Sequence, residues 1–214
     1  MRARVGLVTL NDGHILFAYG SLINRESRGR SFRAPDGRPA RLRGVRQSWS
    51  LPVPGEAVTG LGLAVAEDGH CNGVLLEISD TELQKADQRE IPAGYQRHAA
   101  DWSHVAQGQD DRRIESSWRQ RPLWVYRSVK SHEATTERPI IQSYLDVVLT
   151  GCLEIGVEFA REFVTTTDGW DAPWIDDRGS PRYLRPHHDP DRQVASDALL
   201  QELVPEALKN RRLA

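Results

Sequence analysis

The sequence predicts an α+β protein, and three features carry that prediction. Short apolar runs separated by turn residues fill the chain up to Ser128, as a series of strands does. A helix with a complete start signal interrupts them at Ser79. From Ile140 onward the apolar residues adopt helical spacing instead. With 214 residues, one domain is expected, and its core needs no disulfide support.

Composition excludes several classes of function. The 28 Lys+Arg and 30 Asp+Glu are interspersed, giving a formal charge of −2, so there is no basic face for nucleic acid and no acidic tail. The arginine-rich pieces, Arg25 to Arg46 and Arg112 to Arg121, read as solvated faces or loops. No apolar run is long enough for a membrane span, and Val5 to Leu10 is too short for the core of a signal peptide. Cys71 and Cys152 form no CxxC pair and sit in apolar surroundings, which reads as buried, inert thiols. A soluble, cytoplasmic protein is expected.

In chain order, Val5 to Thr9 reads as a strand or a frayed lead-in, Asn11-Asp12-Gly13 as a turn, and His14 to Ala18 as the end of a buried strand. Tyr19-Gly20-Ser21-Leu22 follows. A strand that stops at Gly-Ser leaves backbone N–H groups without ladder partners, and Gly20 allows close approach. Such amides suit an anion or a polarised carbonyl, although an ordinary strand-to-helix turn has the same composition. Leu22 to Arg30 supports a short helix at most, and Ala34-Pro35-Asp36-Gly37 is a turn. Ala40 to Trp49 reads as a half-buried strand, and Leu51 to Gly60, broken by prolines and glycines, as a loop. Leu61 to Ala66 and Val74 to Ile78 read as two strands joined by a hairpin at Asp68-Gly69.

Ser79-Asp80-Thr81-Glu82 is a capping box, and Pro92 stops the helix it starts near Arg89 or Glu90. Leu83, Asp87 and Glu90 fall within about 40° of one another, with Ala86 beside them. The apolar stripe thus carries two carboxylates. Either they emerge at the domain edge, with Arg97 as partner, or they serve chemistry, each disfavouring ionisation of the other. Gly94 to Trp102 and Pro122 to Ser128 read as the last strands, with Gln107 to Gln120 a polar loop or hairpin tip. Ile141, Tyr144, Leu145, Val148, Cys152 and Ile155 make one helical stripe, and Gly156 divides the helical region. Asp168 to Pro190, with Trp170, Trp174 and Tyr183, reads as a lid, a wrap across the core or an interface. Ser196 to Asn210 reads as a helix interrupted at Pro205.

Taken together, Tyr19-Gly20-Ser21-Leu22, Asn72 to Ile78 leading into a helix that ends Asp87-Gln88-Arg89-Glu90, Tyr95, and Pro139 with Ser143-Tyr144-Leu145, Gly151 and Gly156 resemble the gamma-glutamylcyclotransferase-like family. The resemblance spans about residues 14 to 164. It implies a small, mostly antiparallel β-barrel with packed helices and a pocket at the barrel mouth. It divides the chain into a domain over 1–167 and a helical or irregular C-terminal extension over 168–214 packed on it. By the same resemblance Tyr19, Gly20, Ser21 and Leu22 hold a gamma-glutamyl group, Glu90 is the general acid/base, and Tyr144 lines the cavity.

The reaction so implied cleaves a gamma-glutamyl amide by attack of its own alpha-amine, releasing 5-oxoproline and a free amine or amino acid. The substrate supplies the proximity of the nucleophile, leaving proton transfer to Glu90 and oxyanion binding to the amides of Gly20 to Leu22. No metal or cofactor is required, and neither nucleic acid nor membrane is an expected partner. Oligomeric state is open. A binding module on the same fold is the alternative. A metal site at His187, His188 and Asp189 is disfavoured because adjacent histidines diverge between Pro186 and Pro190. A Ser–His–Asp hydrolase on Ser21 is disfavoured because the turn lacks the second glycine of a nucleophile elbow.

Overall fold

The computed structural model describes residues 13–33, 36–107, 114–186 and 188–214. The expected strand over 5–9, Asn11 and Asp12 of the first turn, Ala34 and Pro35 of the second, the middle of the 107–120 loop and His187 lie outside the described residues.

The elements run β1 (His14–Ala18), α1 (Arg25–Gly29), β2 (Arg38–Pro52), β3 (Thr59–Ile78), α2 (Asp80–Glu90), β4 (Tyr95–Ala100), β5 (Val105–Gln107), β6 (Leu123–Ser128), β7 (Ile140–Ile141), α3 (Gln142–Ile155), α4 (Val157–Thr166), β8 (Thr167–Asp168), β9 (Trp174–Asp176), α5 (Pro190–Leu203), α6 (Pro205–Leu208) and β10 (Arg211–Leu213). This is an α+β fold built on one mixed sheet with helices packed against it.

β2 and β3 form a long antiparallel ribbon. The hairpin expected at Asp68-Gly69 is not there. β3 is a single strand of 20 residues. The register jumps from Arg43↔His70 to Val45↔Val65, so the Asp-Gly signal marks a bulge on a continuing strand rather than a reversal. The reversal lies instead at Val53–Val58, inside the expected loop, where the Val53 amide donates to the Val58 carbonyl. β1 pairs antiparallel with the second half of β3 and parallel with β6, which pairs antiparallel with β4.

β1 stops at Ala18, and beyond it β3 and β6 face each other without a strand between them. Side chains bridge that gap. Ser128 Oγ accepts from the Leu63 amide at 2.9 Å and donates to the Leu63 carbonyl at 3.2 Å. Tyr95 donates its hydroxyl to the Leu61 carbonyl at 2.7 Å. The sheet therefore curls toward a barrel, and its opening lies where β1 ends.

Both faces of β1 are covered. Ile15 and Phe17 pack with Leu63, Leu75 and Val125 inside the curled sheet, while Leu16 and Ala18 pack on the outer side with Leu83 and Ala86 of α2. The capping box of α2 is formed as expected. Burying a leucine such as Leu83 contributes about 1.5–3 kcal/mol, which seats α2 beside the end of β1.

Gly156 separates α3 from α4, as the spacing predicts. α3 is not the amphipathic helix its stripe suggests, because Asp146, Val147, Leu149 and Thr150 are buried too. The reason is the tail. α5 packs along α3, and Arg178 takes up the buried Asp146 through Nε and Nη2, both at 2.8 Å. Trp170 and Trp174 join the same core as Trp49, Leu145 and Phe163. A break at Pro205 divides α5 from α6, as read from the sequence.

Candidate active site

The opening where β1 ends is filled by the turn that follows it. Gly20, Ser21 and Leu22 form one tight helical turn, with Gly20 at φ +59°, a region open to glycine without strain. A β-carbon on Gly20 would also stand 2.9 Å from the Tyr144 hydroxyl oxygen. The Leu22 amide is taken by the Tyr19 carbonyl at 3.3 Å, and the Ile23 amide by the Gly20 carbonyl at 3.0 Å. Among the described residues the amides of Gly20 and Ser21 have no backbone partner. The expected nest of donors from Gly20 to Leu22 is thus shorter by one amide, since closing the turn consumes that of Leu22.

The turn is held from behind. Asn24 caps α1 through a 2.8 Å bond from the Ser27 amide, and α3 presses onto the backbone of Ile23 and Asn24 at Gly151. Any β-carbon at Gly151 would overlap the Asn24 backbone, so glycine is what permits the approach.

Around the turn lie two adjoining chambers. An inner one of about 40 Å³ is lined by Leu16 to Tyr19, Ser21, Leu22, Arg89, Glu90, Tyr95, Tyr126 and Tyr144. An outer one of about 200 Å³ adds Leu51, Val53, Val58, Ile141 and the tail residues Tyr183, Leu184 and Arg185. Ser21, Arg89, Glu90, Tyr95 and Tyr144 line both and mark the junction. Tyr19, Ser21, Leu22, Glu90 and Tyr144, singled out from the sequence, therefore converge on one cavity, with Gly20 packed against it. A larger concavity of about 700 Å³ lies elsewhere, between Arg41, His70, Arg161 and Glu162. At its centre Glu162 is paired to both Arg41 and His70.

Glu90 sits at the C-terminal end of α2 with its side chain 13% exposed. Burial pushes its carboxyl above the usual glutamate range, against the pull of the Arg89 and Arg185 guanidiniums. Asp87 does not cause that rise, contrary to the expectation of two coupled carboxylates. Its oxygens are occupied, accepting from the Tyr126 hydroxyl at 2.7 Å and pairing with Arg97 at 3.0 Å. Arg97 is the partner that the sequence suggested for this helix end.

Arg89 was not among the residues singled out from the sequence. Its Nε stands 2.9 Å from Glu90 Oε1, and its other nitrogens donate to Ser21 Oγ at 3.2 Å and Ser31 Oγ at 2.7 Å. It ties the carboxylate to the turn. A basic residue in the last turn of a helix was the available signal, but that placement ordinarily serves the helix terminus.

Four tyrosines line the inner chamber, and three have committed hydroxyls. Tyr19 donates to the Tyr126 carbonyl at 2.9 Å, Tyr95 to the Leu61 carbonyl, and Tyr126 to Asp87. Tyr144 makes no such donation among the described residues. Its ring is held edge-on by Trp49 and Tyr183, at 6.0 and 5.0 Å. Burial pushes its hydroxyl well above the ordinary phenol range, opposed in part by the Ser21 amide.

The rival sites do not assemble. Ser21 Oγ accepts from Arg89, and no described histidine lines either chamber. His188 is exposed, Asp189 caps α5 by accepting from the Arg192 amide, and His187 lies outside the described residues. Cys71 and Cys152 are buried, and burial raises both thiols, as expected of inert cysteines. Among the described residues no helix is long and apolar enough to cross a membrane.

The fold is thus a curled mixed sheet whose opening holds the Tyr-Gly-Ser-Leu turn, with Glu90 lining the same cavity. The chain belongs to the family described as "Gamma-glutamyl cyclotransferase, AIG2-like", whose model matches residues 16–144. No curated protein matches it. Among solved structures it is similar to a gamma-glutamyl cyclotransferase, with 16% identity, 87% of this chain and 99% of that chain covered, and a TM-score of 0.54. An uncharacterized protein from Homo sapiens matches with the same identity, coverage and TM-score. YkqA from Bacillus subtilis is 19% identical over 74% of this chain and 56% of its own, with a TM-score of 0.50. At these identities the likeness is one of fold.

Proposed function

We propose that this protein is a gamma-glutamyl cyclotransferase in which Glu90 is the general acid/base. The observation that carries the reading is the position of Glu90, a largely buried carboxylate of raised pKa at the junction of the two chambers, on the same cavity as a turn whose Gly20 and Ser21 amides have no backbone partner among the described residues. The gamma-glutamyl end of the substrate enters beside Tyr19, Gly20, Ser21 and Leu22, and the leaving group extends into the outer chamber. Ionised Glu90 takes a proton from the alpha-amine as its nitrogen attacks the gamma-carbonyl. The Gly20 amide and the Tyr144 hydroxyl, whose oxygen the Ser21 amide faces and whose proton has no fixed acceptor among the described residues, supply donors for the oxyanion. When the bond to the leaving nitrogen breaks, Glu90 returns the proton to it, and 5-oxoproline and a free amine depart. General acid/base catalysis contributes about 10²- to 10⁴-fold. The reaction calls for no metal or cofactor, and the cytoplasm is its proposed compartment. Residues 168–214 act as an extension of the one domain, bringing Tyr183 to Arg185 to the site.

The test is mass-spectrometric detection of 5-oxoproline from a panel of gamma-glutamyl compounds, with wild type and Glu90→Gln compared. Release by the wild type that disappears in a folded Glu90→Gln variant is the expected result. If no member releases 5-oxoproline, the reading fails, and a binding module on the same fold takes its place.

A further inference from the structure

Arg185 stands out as a guanidinium that shares the field of Glu90 with Arg89 and has no ion-paired carboxylate of its own among the described residues. It lies on the tail, beyond the span matched by the family model, and lines only the outer chamber. Among the described residues it makes no hydrogen bond or ion pair. It is half-buried, and burial together with the neighbouring Arg89 works against its positive charge. Arg89 already has Glu90, Ser21 and Ser31 as partners, so one carboxylate serves two guanidiniums. A cation held partly out of water beside another cation is unfavourable until an anion joins it.

Its placement is built. Buried Asp177 accepts from the amide and the hydroxyl of Ser143, at 2.7 and 2.6 Å, and from the Arg182 amide at 2.8 Å. The Ser143 amide is one of those that a helix start leaves unbonded. The Tyr183 amide then donates to Ser143 Oγ at 3.2 Å, and the Tyr183 ring packs on Tyr144. These contacts fix the tail to the start of α3 and carry Leu184 and Arg185 to the chamber. Leu184 is 81% exposed and faces a wall of Leu51, Val53, Val58 and Ile141 across it. The remaining acid of the chamber, Glu56, lies on the turn between β2 and β3 and is not an ion-pair partner of Arg185.

We propose that Arg185 is a specificity-determining residue that binds a carboxylate on the leaving group, and that the wall facing Leu184 takes an apolar side chain. The inference rests on the cyclotransferase reading. With the glutamyl end at the Tyr-Gly-Ser-Leu turn and the reacting carbonyl at Glu90, the leaving group is the part directed into the outer chamber that Arg185 lines. The favoured substrate class is then gamma-glutamyl amino acids with apolar side chains, over gamma-glutamyl amines without a carboxylate.

The experiment compares gamma-glutamyl-leucine with gamma-glutamyl-isoamylamine, which has the same side chain and no carboxylate, in wild type, Arg185→Met and Arg185→Gln. Wild type is expected to favour the leucine compound on the order of 10- to 100-fold in kcat/KM, the range of a charge-assisted contact. Either variant should bring that ratio near one, mainly through KM. Loss of Arg185 also changes the field on Glu90, but both substrates feel that equally and the ratio cancels it. A wild-type ratio near one, or a ratio unchanged in the folded variants, overturns the inference. If neither compound releases 5-oxoproline, nor any other in the panel, the cyclotransferase reading has failed by itself. Calorimetric binding of the same two compounds then decides. Tighter binding of the leucine compound that is lost in Arg185→Met upholds the anion subsite, and equal or absent binding overturns it.

Discussion

Tyr144→Phe separates chemistry from packing more cleanly than other changes in this site. The substitution removes one hydroxyl and leaves a ring of the same shape between Trp49 and Tyr183. That hydroxyl has no fixed acceptor among the described residues, whereas those of Tyr19, Tyr95 and Tyr126 are each committed at 2.7–2.9 Å. The structural loss is therefore small, limited to the oxygen that the Ser21 amide faces at the edge of a cavity where water can replace it. In the proposed transition state the same proton is one of a few donors available to the oxyanion. Removing one such donor costs about 2.7–4 kcal/mol, or ~10²–10³ in kcat. The assay is steady-state release of 5-oxoproline, with urea denaturation run in parallel. The expected outcome is a fall in kcat of that size, KM within a few-fold and a nearly unchanged denaturation midpoint. Tyr95→Phe is the counterpart. It leaves the Leu61 carbonyl unpaired at the seam of the sheet and should lower stability by about 1–3 kcal/mol. A Tyr144→Phe enzyme with kcat within about threefold of wild type refutes the oxyanion assignment.

The pH dependence follows from the raised pKa of Glu90. The proposed mechanism needs the ionised base, so kcat/KM should rise with pH through a midpoint above the ordinary glutamate range, and Arg89→Met, which removes a cation favouring ionisation, should move it higher. An unmoved or lowered midpoint in the pH–rate profile contradicts this. The same shift has a stability sign. A carboxyl whose folded pKa lies above its unfolded value favours the fold below the unfolded value and loses that contribution as pH rises through the folded one. Glu90→Gln should thus match wild type in acid and exceed it in urea midpoint at neutral pH. Lower stability at neutral pH would mean that the Arg89 pair outweighs burial. Gly151→Ala should cost about 1–3 kcal/mol by forcing α3 away from Asn24, and should reduce activity as the turn shifts; an unchanged melting curve argues against that buttress. Arg178→Met should cost about 3–5 kcal/mol by stranding the buried Asp146, measured by denaturation; a loss under 1 kcal/mol means that Gln142 and Gln193 suffice for it.

How much of this was legible depends on whether the determining contacts are local. The Tyr19–Leu22 turn, the capping box at Ser79 and the division at Gly156 are set by neighbours in sequence, and each forms where the residues place it. Asp68-Gly69 shows the limit. An Asp-Gly pair between apolar runs reverses a chain only if the two runs pair with each other, and here both pair with β2, the first as Leu61↔Trp49 and the second as Val74↔Pro39. The same residues that favour a tight turn then accommodate a bulge. The pKa of Glu90 was anticipated in direction but not in cause, because the helix wheel shows Asp87 nearby and cannot show Tyr126 and Arg97 arriving from β6 and β4 to occupy it. Tyr183 to Arg185 carried no periodic signal at all. Their place at the mouth depends on Asp177 finding the start of α3, a contact between irregular chain and a helix end that no spacing announces. The division is chemically sensible. The inner chamber, where every substrate of the proposed reaction presents the same glutamyl group, is built from local motifs within the family-matched span together with its tyrosines. The outer chamber, where substrates differ, is closed by the part of the chain whose position only tertiary contacts decide.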